Sequence, residues 1–98
     1  MSYYPKKDFI LLGFEKSKIK NKKYTAFLRN KKTNRINKIH FGAIKEDGIP
    51  YEQYYDKLKL YSSYNHLDKD RRKRYIERHK KDINKPYSAS YFSLFYLW

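Results

Sequence analysis

Cysteine is absent from this chain, and so is valine; glycine and proline number three each, and there is one tryptophan. Without thiols there is neither a disulfide framework nor a thiolate metal site, a composition that suits a reducing compartment. Three glycines leave no material for a phosphate-cradling loop, and no nucleophile elbow or pair of neighbouring catalytic carboxylates occurs. Enzymatic activity is therefore not expected, nor a cofactor, nor a metal. His40, His66 and His79 lack metal-ligand spacing, and a histidine-nuclease reading of His66 and His79 finds no base-activating context around them.

Long apolar runs are missing too. The most apolar stretch, residues 91–98, is far short of the ~20 residues a membrane-spanning helix needs. The opening residues, Met1 to Asp8, carry no apolar run ahead of a small-residue cleavage site, so a soluble, non-secreted protein is expected. Acidic residues are scarce beside basic ones: 10 Asp and Glu stand against 24 Lys and Arg, a net charge of +14 over 98 residues. Such an excess repels itself in a compact state unless a partner supplies negative charge, which points to nucleic acid or another polyanion. A merely solubilising surface is the plainer reading.

What the chain has in abundance is lysine and tyrosine. Twelve tyrosines and six phenylalanines make the expected core aromatic, with hydroxyls kept at its edges. Lys, Ile, Asn and Tyr supply 44 of the 98 residues, the signature of an AT-rich coding genome.

The pattern along the chain predicts one α+β domain over residues 1–98, a small N-terminal antiparallel β-meander or hairpin packed against two to three C-terminal helices. Residues 1–7 read as a flexible arm and 8–42 as the meander. Within it, Tyr24, Ala26 and Leu28 alternate onto one face, Ile39 and Phe41 share another, and Asn30 to Asn34 form the connecting turn. Tyr51, Tyr54, Tyr55 and Leu58 fall at i, i+3, i+4 and i+7, which predicts a helix over 50–62 beginning at Pro50. A second helix is expected over 66–82, capped by Asp68 or Asn65 and ending before Pro86, and a third over 88–98.

Two basic constellations carry the functional expectation. Arg71, Arg72, Arg74 and Arg78 lie on the second helix, and 71, 74 and 78 share one face, where planar guanidinium forks match phosphate oxygens. Lys22, Lys23, Arg29, Lys31, Lys32, Arg35 and Lys38 form a hairpin field that contains no acid and includes Tyr24 and Phe27, rings able to stack on unpaired bases. The plainer alternatives are a solvated helix face and core rings. Tyr91, Phe95 and Trp98 are the candidate partner surface, for capsid docking or self-association, or else simply core.

The succession Lys23-Tyr24-Thr25-Ala26, Ile39-His40-Phe41-Gly42-Ala43, His66-Leu67-Asp68, Arg71-Arg72-Lys73-Arg74-Tyr75-Ile76-Glu77-Arg78-His79, Ser88-Ala89 and Leu97-Trp98 resembles a small family of basic proteins encoded by nucleocytoplasmic large DNA viruses and some phages. The resemblance covers residues 23–98 and is most specific in the Asp-x-x-Arg-Arg-x-x-Tyr-x-x-Arg-His block. It implies a viral origin and a place in the virion or the infected cell, and brings no activity with it. The expected function is binding of double-stranded DNA through its phosphates, largely without sequence preference, for genome condensation or packaging. A minor capsid or cement protein and an RNA-binding protein are the alternatives.

Overall fold

The computed structural model describes residues 4–98. Three strands, β1 (Phe9–Lys16), β2 (Lys22–Asn30) and β3 (Ile36–Ala43), form an antiparallel meander in the order β1-β2-β3. Helices α1 (Lys69–His79) and α2 (Ala89–Tyr96) follow, completing the expected α+β architecture.

Alternation sets the sheet's inner face. Tyr24, Ala26 and Leu28 of β2 are each no more than 1% exposed, and Phe41 and Ile39 stand opposite Tyr24 and Ala26 on β3. Phe92 of α2 enters this layer fully buried, its ring 5.4 Å from that of Phe41 and 5.6 Å from that of Phe14. Offset and edge-on ring pairs of this kind give an aromatic core directional contacts beyond the area they bury. The connecting turn is built locally. Asn30 Oδ1 accepts from the N–H groups of Lys32 and Thr33, and Asn34 takes a left-handed φ of 61°, a conformation that asparagine tolerates.

The helix starts follow their caps. Asp68 Oδ1 accepts from the N–H groups of Asp70 and Arg71, and Ser88 Oγ accepts from that of Tyr91. A 3₁₀ turn, Lys80–Asn84, prolongs α1 toward the expected limit before Pro86. No residue of α1 is buried. It is held chiefly by Tyr75, whose ring stacks on Trp98 at 4.2 Å and 4°.

Two expectations fail. Residues 50–62 are not helical; apart from tight turns and the short 3₁₀ turn Ser62–Tyr64 that follows them, the segment is irregular. The reason lies in two polar residues that such a helix would have turned away from the tyrosine stripe. Gln53 and Asp56 are both fully buried. Asp56 accepts from the Tyr24 hydroxyl at 2.5 Å and from the N–H groups of Leu58 and Tyr61, while Asn65 Oδ1 accepts from Gln53 Nε2 and the Asp56 N–H. These side chains take over the backbone donors that a helix would have used. Tyr51 and Tyr55, expected to face the core, are instead 52% and 43% exposed.

The flexible arm is the other correction. Residues 1–3 of that expected arm lie outside the described residues; of the rest, Tyr4 and Pro5 are half-buried and Lys6 and Lys7 are exposed. The Tyr4 N–H donates to the Pro86 carbonyl at 2.9 Å, its ring meets Phe9 edge-on at 5.0 Å, and the Lys6 ammonium sits 5.1 Å from the Tyr91 ring centre. Aromatic contact outweighs the polar character of this stretch. Among the described residues no helix is long and apolar enough to cross a membrane.

Candidate nucleic-acid interface

The helical spacing of Arg71, Arg74 and Arg78 does bring them to one place. All three line a cleft of about 480 Å³ between α1, the end of β3 and the C-terminal residues, with Lys23, Tyr51, Glu52 and Trp98 among its other walls. Arg71 Nη1 donates to Glu52 Oε1 at 3.1 Å. Among the described residues neither Arg74 nor Arg78 has an acid within 4 Å. The Asp68 carboxyl at the helix start is held below its ordinary range, chiefly by the Arg71 N–H and in lesser part by Arg74.

Arg72 is placed elsewhere. Its Nε donates to the Trp98 backbone oxygen at 2.8 Å and its guanidinium lies 5.1 Å from the Tyr54 ring centre, so it ties the helix to the body of the protein. Its Nε is committed to the fold, while the rest of the guanidinium stays at the surface.

Lys23 is the second displaced candidate. It is 2% exposed, and its Nζ donates to the Tyr51 carbonyl at 2.6 Å and to Gln53 Oε1 at 2.5 Å. Burial pushes its ammonium down to about 8, against the opposing pull of Asp56. Its inward course depends on Gly42. That residue has a φ of 78°, and a Cβ there would lie 2.8 Å from Lys23 Cβ. Only glycine combines that backbone with that approach.

The remaining hairpin cations are exposed or half-exposed. Lys31, Lys32 and Arg35 project from the turn, and Arg29 Nη1 donates to Asn34 Oδ1 at 2.7 Å. Lys38 lies over the Phe27 ring at 6.0 Å on the sheet face turned away from the core. Lys22, also exposed, sits at the other end of β2. The hairpin tip and the α1 cleft are therefore separated by the length of β2, about 26 Å at ~3.3 Å per residue, and form two positive regions rather than one.

Of the expected partner surface, Tyr91 is 9% exposed and belongs to the core cluster, as its position on the inner side of α2 requires. Trp98 is half-buried under Tyr75, and Phe95 alone is open, at 38%.

The histidines each have a structural setting. His40 Nδ1 hydrogen-bonds with Thr25 Oγ1 at 2.7 Å, and His79 stacks on Tyr75 and pairs with Asp82. His66 Nδ1 accepts from the Asp68 N–H, and burial followed by Arg71 lowers its pKa. Among the described residues no group of three His, Asp or Glu side chains could hold a metal ion.

Sequence reasoning missed the floor of the cleft and the buried network behind it. Gln53 and Asp56 fall on the polar side of the expected 50–62 helix, so periodicity carried no signal against it. In comparisons with known proteins, no family model, no curated protein and no solved structure matches the chain.

Proposed function

We propose that this protein binds double-stranded nucleic acid, DNA in preference to RNA, largely without regard to sequence, by neutralising phosphates, and that it serves genome condensation or packaging of a virus, within the virion or infected cell. It binds its partner without transforming it. One observation carries the reading. Of 24 Lys and Arg, only Lys20, Arg71, Lys80 and Lys85 have an acid within 4 Å among the described residues. Charge left so largely without acidic partners favours a polymeric anion outside.

The two positive regions give the mode of contact. The molecule is 41 Å along its longest axis, slightly more than one duplex turn of ~34–36 Å. A duplex turn is longer than the ~26 Å that separates the Lys31, Lys32 and Arg35 tip from Arg74 and Arg78 at the cleft mouth, so one duplex can offer phosphates to both. Lysine at the tip acts as a point charge on the backbone, which favours affinity over base selection.

Fluorescence anisotropy of a labelled duplex across a salt series tests this. With about six to eight phosphates engaged, log affinity should fall against log salt with a slope near −5 to −7. Absence of binding at low salt, or a slope near zero, would refute it. A second reading, single-stranded RNA, draws on Phe27, a half-exposed ring on the uncovered sheet face beside Lys38. Tighter binding of single strands than of duplex in the same assay would select it.

A further inference from the structure

We infer that the α1 cleft is a pocket for one nucleotide phosphate monoester, entering end-on from a strand terminus or as a free nucleotide. The inference rests on the nucleic-acid reading and gives the cleft a role separate from the hairpin tip. The chemistry of its walls sets the ligand. Arg74 and Arg78 line the cleft with no acid within 4 Å among the described residues, Arg71 is shared with Glu52, and Lys23 lies at its inner wall. An ammonium has three N–H donors, and only two of those on Lys23 are taken, by the Tyr51 carbonyl and Gln53 Oε1. Two guanidinium forks and a third point charge suit an anion approaching −2, the charge of a phosphate monoester at neutral pH, better than the single charge of a mid-strand diester.

Shape argues the same way. A duplex presents its internal phosphates on a convex surface, whereas Lys23 is 2% exposed and lies in the wall of a concave space. Lys23 therefore acts on a group in the cleft through its charge, from within the wall. The volume of about 480 Å³ is that of a small-ligand site. The mouth also provides for the nucleoside. Tyr51 is 52% exposed and Trp98 half-exposed, giving rings on which a base can stack, and Glu52 can accept from an amino or hydroxyl group.

The test uses the full chain and short blunt duplexes that differ only in a 5′-phosphate or 5′-hydroxyl end, together with adenosine 5′-monophosphate. Trp98, the single tryptophan, reports occupancy of the cleft through its fluorescence. The phosphorylated duplex should bind about tenfold more tightly, the contribution of one charge-assisted hydrogen bond. Arg74→Ala with Arg78→Ala should erase that difference, and since neither side chain holds a partner the fold should be undisturbed. Lys31→Ala with Lys32→Ala should weaken both duplexes and leave the difference intact. A Trp98 response to the mononucleotide without any end preference supports the pocket with the free nucleotide as its ligand. Equal affinity for both ends with a silent Trp98 overturns the pocket and leaves duplex binding standing. Failure to bind any of these probes overturns the underlying reading as well.

Discussion

Stability should climb as the solution is made mildly alkaline, because one lysine is buried. Burial lowers the Lys23 ammonium from 10.5 to about 8. Between those values the unfolded chain binds a proton that the folded chain has released, so unfolding free energy increases with pH. Below about 8 both states are protonated and the full cost of burying the charge is present. At about 1.4 kcal/mol per tenfold, the gap corresponds to about 3 kcal/mol, of which about 2 kcal/mol should be recovered between about pH 7 and about pH 9.5. Above about pH 10 the gain reverses. Burial, with Asp82 contributing, pushes the Tyr75 hydroxyl up to about 12, and burial with the Asp56 hydrogen bond pushes Tyr24 higher still. The unfolded chain then loses tyrosyl protons that the folded chain keeps, and stability falls. Urea unfolding followed by circular dichroism at several pH values reads the curve. Lys23→Met should remove the rise, while Lys18→Met, at an exposed position, should retain it and so account for the general relief of charge repulsion. A wild-type curve that is flat or falling from about pH 7 to about pH 9.5, or a rise that survives Lys23→Met, would show that the ammonium is not desolvated as described.

Asp56→Ala should destabilise by about 3 kcal/mol or more in the same assay, since it strands the Tyr24 hydroxyl and two backbone N–H groups inside the protein; a loss under about 1 kcal/mol would mean the network is not the anchor of the 51–65 segment. Gly42→Ala should cost about 2 kcal/mol from backbone strain and the collision with Lys23, measured as a lower unfolding midpoint. Asp68→Ala should cost about 1 kcal/mol and reduce helical circular dichroism by loosening the start of α1, with no effect on the sheet.

The sheet was legible because strand alternation is a local signal that its environment reinforced: Tyr24, Ala26 and Leu28 face one way in the sequence pattern and are buried together in the fold. The caps at Asp68 and the region of α2 were legible for the same reason. Residues 50–62 were not, because tyrosine suits both a helix stripe and an exposed loop, and the deciding interactions join Gln53 and Asp56 to Lys23 and Tyr24, about thirty positions earlier. Periodicity cannot register contacts of that sequence separation. The candidate site divides likewise. Helical spacing placed Arg71, Arg74 and Arg78 together, but it could not show that Arg72 is bound to the Trp98 backbone or that Lys23 turns inward beneath Gly42. Charge counting identifies cations without saying which of them the fold has already engaged.

A helix whose residues are at most half-buried has little to lose by coming away. Opening α1 would part Tyr75 from Trp98 and release Arg72, yet leave Phe92 and Phe41 packed as before. Its amides should accordingly exchange with solvent well before those of β2. Arg74 and Arg78 stand on one side of that seam and Lys23 on the other, so an anion held between them would fasten the two parts together. Bound phosphate would thus give this helix the interior it does not otherwise have, and slower exchange along α1 on adding nucleotide would register the closure.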